Sequence, residues 1–273
     1  MTTKTDRPLA GKTALVTGAG RGLGRAFAER LASLGASIAL HGMRENGPAE
    51  YGEGTTLTAV AEEIAAAHRV RTLRLLGDLT RPDDIGRVVG EAEDRLGPID
   101  ILVHNAGGDI AARGGKPDPN DAVGISPDDV RAVIDRNLIS TILVCQAVAT
   151  RMMTRRSGRI VTLGSVAAFK GRTNGAIYAT AKAGVTHYTR CLADQLRPYD
   201  ITVNCIAPGD TRTGRFLGTR AVDPARMTES GTLDRIATVD EVARLVEVFA
   251  GPLGAFVSGQ VLRVDGGAQA WPA

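Results

Sequence analysis

Tyr178 and Lys182 stand four residues apart in a segment, residues 176–196, whose apolar spacing predicts a helix. Side chains four apart lie on one face of a helix, so the phenol and the ammonium group are expected to be neighbours. A free tyrosine has a pKa of about 10, too high for a base at neutral pH, and a nearby ammonium group lowers it. Tyr178 could then take a proton from an alcohol or give one to a carbonyl oxygen.

Ser165 follows an apolar run, residues 159–163, that predicts a strand. Its hydroxyl is expected at the carboxyl end of that strand, where it could hydrogen-bond to the same reacting oxygen without attacking it. A serine hydrolase is the competing interpretation, but Ser165 stands in Leu-Gly-Ser-Val-Ala and not in a G-x-S-x-G turn. Each of these residues alone is more often a turn or surface residue, so only their occurrence together points to catalysis.

A glycine-rich turn, Thr17-Gly-Ala-Gly-Arg-Gly-Leu-Gly24, lies between the first predicted strand and the first predicted helix. Glycines let the backbone approach a pyrophosphate, and the helix N-terminus offers unpaired N–H groups and partial positive charge. The P-loop pattern G-x-x-x-x-G-K-[ST] does not occur, which disfavours a P-loop nucleotidase. The residues of this turn that we predict to contact a dinucleotide are Gly18, Arg21, Gly22, Leu23 and Gly24.

Strand-like apolar runs alternate with helix-like segments along nearly the whole chain. Parallel strands need crossover connections, so this alternation predicts an α/β fold with a parallel sheet of about seven strands and helices on both faces, a three-layer sandwich. No linker divides the chain, and we predict a single domain over residues 1–273. Two polar stretches interrupt the alternation. Residues 107–126 follow a strand's carboxyl end and are expected at the rim of a ligand site, whereas residues 42–56 could equally be a surface insertion.

The spacing of the glycine turn, T-G-x-x-x-G-x-G, resembles the classical short-chain dehydrogenase/reductase family. The resemblance continues in chain order over about residues 9–268 through further motifs: Asp78-Leu79, Asn105-Ala106-Gly107, Asn137, Ser165, Tyr178-Ala-Thr-Ala-Lys182, Pro208-Gly209 with Thr213, and residues 259–267. Any one motif is modestly specific, but the ordered set is strongly so. It implies a Rossmann-like, doubly wound sheet and a nicotinamide-dependent oxidoreductase that acts on the CH–OH group.

The resemblance also implies roles for single residues. Ser165, Tyr178 and Lys182 would be catalytic, and Asn137 would hold a water that connects Lys182 to solvent. The other matching residues would contact the dinucleotide together with Tyr178 and Lys182: Asp78 and Leu79 at the adenine, Asn105, Ala106 and Gly107 at the sheet edge, and Pro208, Gly209, Thr211 and Thr213 over the nicotinamide. Residues 209–235 would form a lid over the substrate.

The end of the second predicted strand bears on the choice of cofactor. An acidic residue there would bind the ribose 2′-OH and repel a 2′-phosphate. The chain reads Leu-His-Gly-Met-Arg, and the usual acidic position falls on Gly42. Arg21 and Arg44 could donate charge-assisted hydrogen bonds to a 2′-phosphate, so NADP(H) is favoured over NAD(H). In the alternative, the arginines are solvated and Glu45 turns inward to bind the ribose.

The predicted lid is cationic, with Arg212, Arg215 and Arg220 and only two large apolar residues, Phe216 and Leu217. We therefore expect a polar or acidic small-molecule substrate, such as a sugar, a sugar acid or a small hydroxy acid. Alternatively, the arginines face solvent or a neighbouring subunit. A 3-oxoacyl thioester reductase acting on a carrier-bound chain also remains open, and a non-catalytic dinucleotide sensor is disfavoured by the intact catalytic set.

The composition argues against several other classes of protein. The net charge is +3, but the basic residues are dispersed, so we expect no nucleic-acid partner. No H-E-x-x-H or C-x-x-C pattern supports a metal site, and no metal is expected. No run of 18 apolar residues and no apolar stretch near the N-terminus occur, so neither a membrane span nor a signal peptide is expected. These features favour a cytoplasmic protein.

A homo-oligomer, most simply a tetramer, is expected mainly from the family resemblance. Two predicted helices, residues 127–153 and 176–196, add support because they carry apolar residues on several sides. A helix that is apolar all round must be covered on all sides, by the core or by a partner.

Overall fold

Alternating residues of each strand face opposite sides of a sheet, and in this chain both sides are apolar. The computed structural model describes residues 7–270. Its seven strands form one parallel sheet in the order β3-β2-β1-β4-β5-β6-β7. They are β1 (Thr13–Thr17), β2 (Ser37–Gly42), β3 (Thr72–Leu76), β4 (Ile101–His104), β5 (Gly158–Leu163), β6 (Ile201–Pro208) and β7 (Val261–Val264). The predicted Rossmann-like sheet is confirmed.

Helices connect these strands and cover both faces of the sheet. They are α1 (Gly22–Ser33), α2 (Leu57–His68), α3 (Pro82–Leu96), α4 (Pro127–Ile134), α5 (Ser140–Arg155), α6 (Ala176–Leu196), α7 (Gly214–Gly218) and α8 (Val239–Ala250). Local sequence sets their starts. Pro82 opens α3 ahead of two aspartates, and Thr238 and Glu241 form a reciprocal capping box at α8.

The core consists of one apolar layer on each face of the sheet. Val16 points into the layer shared with α1 and α8, and its neighbour Leu15 points into the layer shared with α3, α5 and α6. The stretch Pro127–Arg155 is long and apolar enough to cross a membrane by length and composition alone. Its Val144 and Met152 side chains are buried in the core, which accounts for much of this apolar character.

Strand order reverses next to β1, which pairs with β2 on one side and β4 on the other. In open parallel sheets a ligand binds at such a point, outside the carboxyl ends of the strands. Both polar stretches reach this edge. Residues 42–56 form a short 3₁₀ helix, Gly47–Tyr51, against the glycine turn, and residues 107–126 are irregular on the opposite side. A cleft of about 730 Å³ lies between them.

Candidate active site

Ser165, Tyr178 and Lys182 come together at the carboxyl end of β5. The Ser165 side chain lies beside the Tyr178 hydroxyl and lowers the pKa of the phenol. The Lys182 ammonium lies 5.7 Å from the centre of the Tyr178 ring and donates a 2.7 Å hydrogen bond to the carbonyl of Leu163. Tyr178 lines the cleft, whereas Lys182 is buried behind it. The helical spacing of the phenol and the ammonium therefore produces the neighbouring pair that the sequence predicts.

The pKa of Tyr178 is shifted in the direction opposite to the sequence-based expectation. Burial raises the pKa of the Tyr178 phenol, while Ser165 and the guanidinium of Arg215 act in the opposite direction. Burial also lowers the pKa of Lys182 to about 8. The expected lowering of the tyrosine pKa is thus not a property of the protein alone, because desolvation of the phenol outweighs the neighbouring cations. The phenol is protonated at neutral pH, the form that donates to a carbonyl oxygen.

Asn137 lies in a single π-helical turn, Asp135–Ile139, between α4 and α5. Its side chain is buried and hydrogen-bonds to both the N–H and the carbonyl of Gly108. Its Oδ1 accepts from the Gly108 N–H at 2.9 Å, and its Nδ2 donates to the Gly108 carbonyl at 2.9 Å and to the Val133 carbonyl at 2.8 Å. Asn137 therefore anchors the loop after β4 at the edge of the cleft.

The glycine turn is fixed by close backbone packing. Gly18 and Gly22 have positive φ values of 64° and 53°. A Cβ added to Gly24 would lie 1.9 Å from the Gly18 carbonyl oxygen. Asn105 ties the turn to β4, since its Nδ2 donates to the Thr17 and Gly18 carbonyls at 3.3 and 3.2 Å. The Thr17 hydroxyl in return accepts from the backbone N–H groups of Asn105 and Ala106.

The end of the cleft beside β2 carries two arginines and one carboxylate. Arg21 and Arg44 both pair with Glu50, at 3.1 and 3.6 Å, and the Arg21 guanidinium stacks 4.5 Å from the Tyr51 ring centre. The Arg21 Nη1 atom is buried and has no hydrogen-bond partner among residues 7–270. Gly42, Asp78 and Leu79 line the same end.

Glu45 faces away from this end of the cleft. Its carboxylate accepts from the Thr58 backbone N–H at 2.9 Å and lies 3.7 Å from Arg74. These contacts direct it to the start of α2, against the alternative in which it turns inward to the ribose.

The loop after β6 brings its residues back over the glycine turn. A Cβ added to Gly209 would lie 2.9 Å from the Cβ of Asp265, so the chain passes close to the segment after β7. The Thr211 hydroxyl donates to the Gly209 carbonyl, and Thr213 caps α7 by accepting from the Phe216 N–H at 3.1 Å. The Thr213 methyl group lies 3.2 Å from a Cβ built on Gly22.

The three arginines of the predicted lid, residues 209–235, point in different directions. Arg212 donates to the carbonyls of Ile236 and Thr228, so its guanidinium is bound by nearby backbone and does not line the cleft. Arg220 pairs with Asp210 at 3.5 Å. Arg215 alone of the three lines the cleft with Tyr178, and its guanidinium donates to the Asp109 carbonyl at 2.7 Å. Of the three, Arg215 is therefore the arginine that lines the cleft.

Comparison with known proteins matches residues 12–221 to the family model for short chain dehydrogenases. The chain belongs to the short-chain dehydrogenase/reductase family. It is 39% identical to a cyclohexanol dehydrogenase from Rhodococcus sp. (strain TK6), over 95% of this chain and 97% of that one. It is 34% identical to a 3-oxoacyl-[acyl-carrier-protein] reductase from Aquifex aeolicus (strain VF5), over 95% and 98% of the two chains.

Solved structures of the family superpose over nearly the whole dehydrogenase. A putative gluconate dehydrogenase from Agrobacterium tumefaciens has a TM-score of 0.83 at 29% identity, over 98% of this chain and 99% of that one. A 7α-hydroxysteroid dehydrogenase complexed with NADH and 7-oxo glycochenodeoxycholic acid has a TM-score of 0.81 at 28% identity, over 98% of both chains. The dehydrogenase is a nicotinamide-dependent oxidoreductase acting on an alcohol/ketone pair.

The residues of the cleft fit a nicotinamide dinucleotide. The glycine turn leaves no room for side chains where a diphosphate must approach, and the Arg21 Nη1 atom has an unused donor. When bound, the nicotinamide supplies the hydride acceptor for oxidation or the hydride donor for reduction. Within residues 7–270, no group of three or more His, Cys, Asp or Glu side chains is placed to hold a metal ion.

Three further residues of this site were not predicted from the sequence. Glu50, Tyr51 and Glu53 all lie in the polar stretch 42–56, and all three contact the glycine turn or the lid. A polar loop without periodicity does not indicate which of its side chains point into a cleft, so they could not be singled out.

Proposed function

We propose that Tyr178 is the proton donor and acceptor for the reacting oxygen, with Ser165 bound to the same oxygen. The position of Ser165 beside the Tyr178 hydroxyl supports this, since both hydroxyl groups can then face one point in the cleft. Lys182 holds the phenol side of α6 against β5 through the Leu163 carbonyl and supplies positive charge behind the ring. Asn137 fixes the loop that carries Gly107 and Gly108.

We further propose that the dehydrogenase prefers NADP(H). Gly42 contributes no carboxylate at the end of β2, and Arg21 and Arg44 converge on one point, where Glu50 now binds both. A 2′-phosphate in that position would replace a carboxylate with a more highly charged anion. Glu45, the alternative ribose ligand, is held at α2 by Thr58 and Arg74.

Gly42→Asp is expected to shift the preference toward NAD(H). The new carboxylate would accept hydrogen bonds from the ribose diol and repel a 2′-phosphate. We expect the ratio of kcat/KM for the two cofactors to change by roughly tenfold or more, the effect of one charge-assisted hydrogen bond. Gly42→Ala is the matched control, because either side chain brings a Cβ within 3.1 Å of the Leu57 methyl group. A wild-type preference for NAD(H), or equal ratios in both variants, would refute the assignment.

For the substrate, we propose a secondary alcohol or ketone that carries a carboxylate or phosphate. The observation that carries this is that two cations, Arg215 and Lys116, line the cleft together with Tyr178. Arg215 bonds to the Asp109 carbonyl, and Lys116 bonds to the Thr219 carbonyl at 3.4 Å. Both hydrogen bonds are to neutral oxygens, and the Asp109 carboxylate lies near enough to raise the pKa of each group. Burial lowers the pKa of both groups, with further lowering from neighbouring arginines, so an anion would be favoured beside them.

A panel of matched substrates tests this proposal. Each anionic hydroxy acid or keto acid is paired with the neutral alcohol or ketone of the same carbon skeleton, and cofactor absorbance is followed. We expect the anionic member to have a kcat/KM at least roughly tenfold higher, and Arg215→Met to remove most of that difference. Arg244→Met, which removes an exposed arginine paired with Asp240 on α8, is the control for net charge. Equal rates for both members of each pair would refute it.

The second candidate is a 3-oxoacyl thioester reductase. It is favoured by the 34% identity to the Aquifex aeolicus enzyme of that name. Adding carrier-bound 3-oxoacyl thioesters to the panel separates the two, since a carrier-dependent enzyme would reduce them far faster than free small ketones.

We propose that the dehydrogenase is a cytoplasmic homotetramer. Leu253, Phe256 and Leu262 are exposed large apolar side chains in and just before the edge strand β7, and exposed apolar surface is a feature of subunit contacts. All three cysteines are free thiols, in keeping with a reducing compartment. Light scattering at working concentration measures the mass, and a monomer would contradict the tetramer.

A further inference from the structure

Residues 47–54, here called the strap, lie across the glycine turn and reach the lid. The Glu53 carboxylate bridges the two. Its Oε2 accepts from the Gly22 N–H at 2.5 Å, and its Oε1 accepts from the Gly214 N–H at 2.5 Å. Gly22 begins α1 and Gly214 begins α7, so one side-chain anion binds backbone donors from the phosphate turn and from the lid.

The surrounding packing is shaped for this contact. Gly214 and Gly218 lie four apart on one face of α7, and Tyr51 occupies the space that side chains there would fill. A Cβ built on Gly214 would lie 3.0 Å from the Tyr51 Cβ, and one built on Gly218 would lie 3.2 Å from the Tyr51 ring. On the other side, the same ring stacks against Arg21. The strap is therefore packed against both elements that Glu53 joins.

A diphosphate bound at the start of α1 would compete with Glu53 for the Gly22 N–H. The N–H groups at the start of α1 carry the partial positive charge of the helix and are the donors that the turn offers to a diphosphate. A carboxylate and a diphosphate cannot both accept from the Gly22 N–H, and two anions at one site repel each other. One of them must leave for the other to bind.

We propose that Glu53 is an internal competitor of the cofactor's diphosphate. In the free enzyme it ties the lid helix α7 to the glycine turn. Binding of the dinucleotide displaces the carboxylate, breaks the Glu53 link between turn and lid, and frees the Gly214 N–H. The diphosphate thus replaces the Glu53 carboxylate at the glycine turn, and the same exchange releases the lid.

Glu53→Gln tests the proposal through binding and unfolding, without an activity measurement. Calorimetric Kd values are measured for NADP⁺ and NAD⁺, and thermal unfolding is followed with and without saturating cofactor. We expect both cofactors to bind about tenfold more tightly, since both contain the diphosphate. The free variant should unfold at a lower temperature than the free wild type, and the increase in Tm on adding cofactor should be larger, because only the free state has lost a contact.

Two further variants sharpen the result. Glu63→Gln removes the same charge from α2, where Glu63 pairs with Arg25, and controls for long-range attraction of an anionic cofactor. Glu53→Asp keeps the charge but is one methylene shorter, so it cannot reach both N–H groups; it should also bind cofactor more tightly than wild type.

Unchanged or weaker cofactor binding by Glu53→Gln and Glu53→Asp would overturn the proposal, since Glu53 would then support the bound state. Tightening equal to that of Glu63→Gln would overturn it too. This outcome is separate from cofactor choice: a wild-type preference for NAD⁺ refutes the NADP(H) proposal but leaves the expected tightening of both cofactors intact.

Discussion

Tyr178→Phe is expected to lower kcat by roughly 10²–10⁴-fold, the usual contribution of a positioned general acid or base. The substitution removes only the phenolic oxygen of Tyr178, a residue that lines the cleft beside Ser165. The glycine turn and its ties to β4 are untouched. The cofactor Kd should therefore stay within about twofold, a change of less than about 0.5 kcal/mol.

Tyr188→Phe is the matched control for this variant. Tyr188 is on the same helix, α6, but it packs against the core layer beside α5, and its hydroxyl donates to the Ile142 carbonyl at 3.4 Å. Its loss should leave kcat nearly unchanged. If Tyr178→Phe retained wild-type turnover in an assay limited by the chemical step, Tyr178 would not be the proton donor.

Gly24→Ala is expected to act on the cofactor Kd, whereas Tyr178→Phe acts on kcat. The new Cβ would stand 1.9 Å from the Gly18 carbonyl oxygen and 2.6 Å from Asn105 Nδ2, and the first of these is backbone that cannot move aside without opening the turn. We expect the cofactor Kd to rise by roughly tenfold to a hundredfold, which corresponds to one lost hydrogen bond to a charged group. Fluorescence titration with reduced cofactor gives the Kd.

Gly86→Ala gives the control for a glycine replaced in a helix. Gly86 is exposed in α3, and nothing lies within 4 Å of the added Cβ. Alanine there should leave the Kd unchanged and raise the unfolding free energy by about 0.5–1 kcal/mol, since it restricts the unfolded chain. Wild-type cofactor affinity in folded Gly24→Ala would show that the turn does not need its tight backbone packing.

Much of the fold and of the catalytic group could be predicted because both depend on short-range rules. Alternating apolar runs predict the sheet and its helices, and the four-residue spacing of Tyr178 and Lys182 predicts that they meet. The glycine turn is recognisable by its spacing, and at Gly24 a side chain would collide with backbone.

The remaining features depend on contacts between distant segments. The raised pKa of Tyr178 follows from its burial in the folded cleft, which its neighbours in sequence do not reveal. Asn137 clamps Gly108 across 29 residues, and Glu53 bridges to Gly214 across 161 residues. Arg212 and Arg215 have the same side chain three positions apart, yet one bonds within the lid and the other enters the cleft. Their separate directions are set by the lid's tertiary contacts.

Direct hydride transfer is the central claim, and an isotope experiment tests it most directly. The secondary alcohol that turns over fastest in the panel is prepared with deuterium on its carbinol carbon and oxidised by the wild-type enzyme with NADP⁺. The account predicts one deuterium per turnover in the nicotinamide ring of the reduced cofactor, detected by mass spectrometry, with none released to water. Ketone formed without deuterium in the reduced cofactor would contradict it.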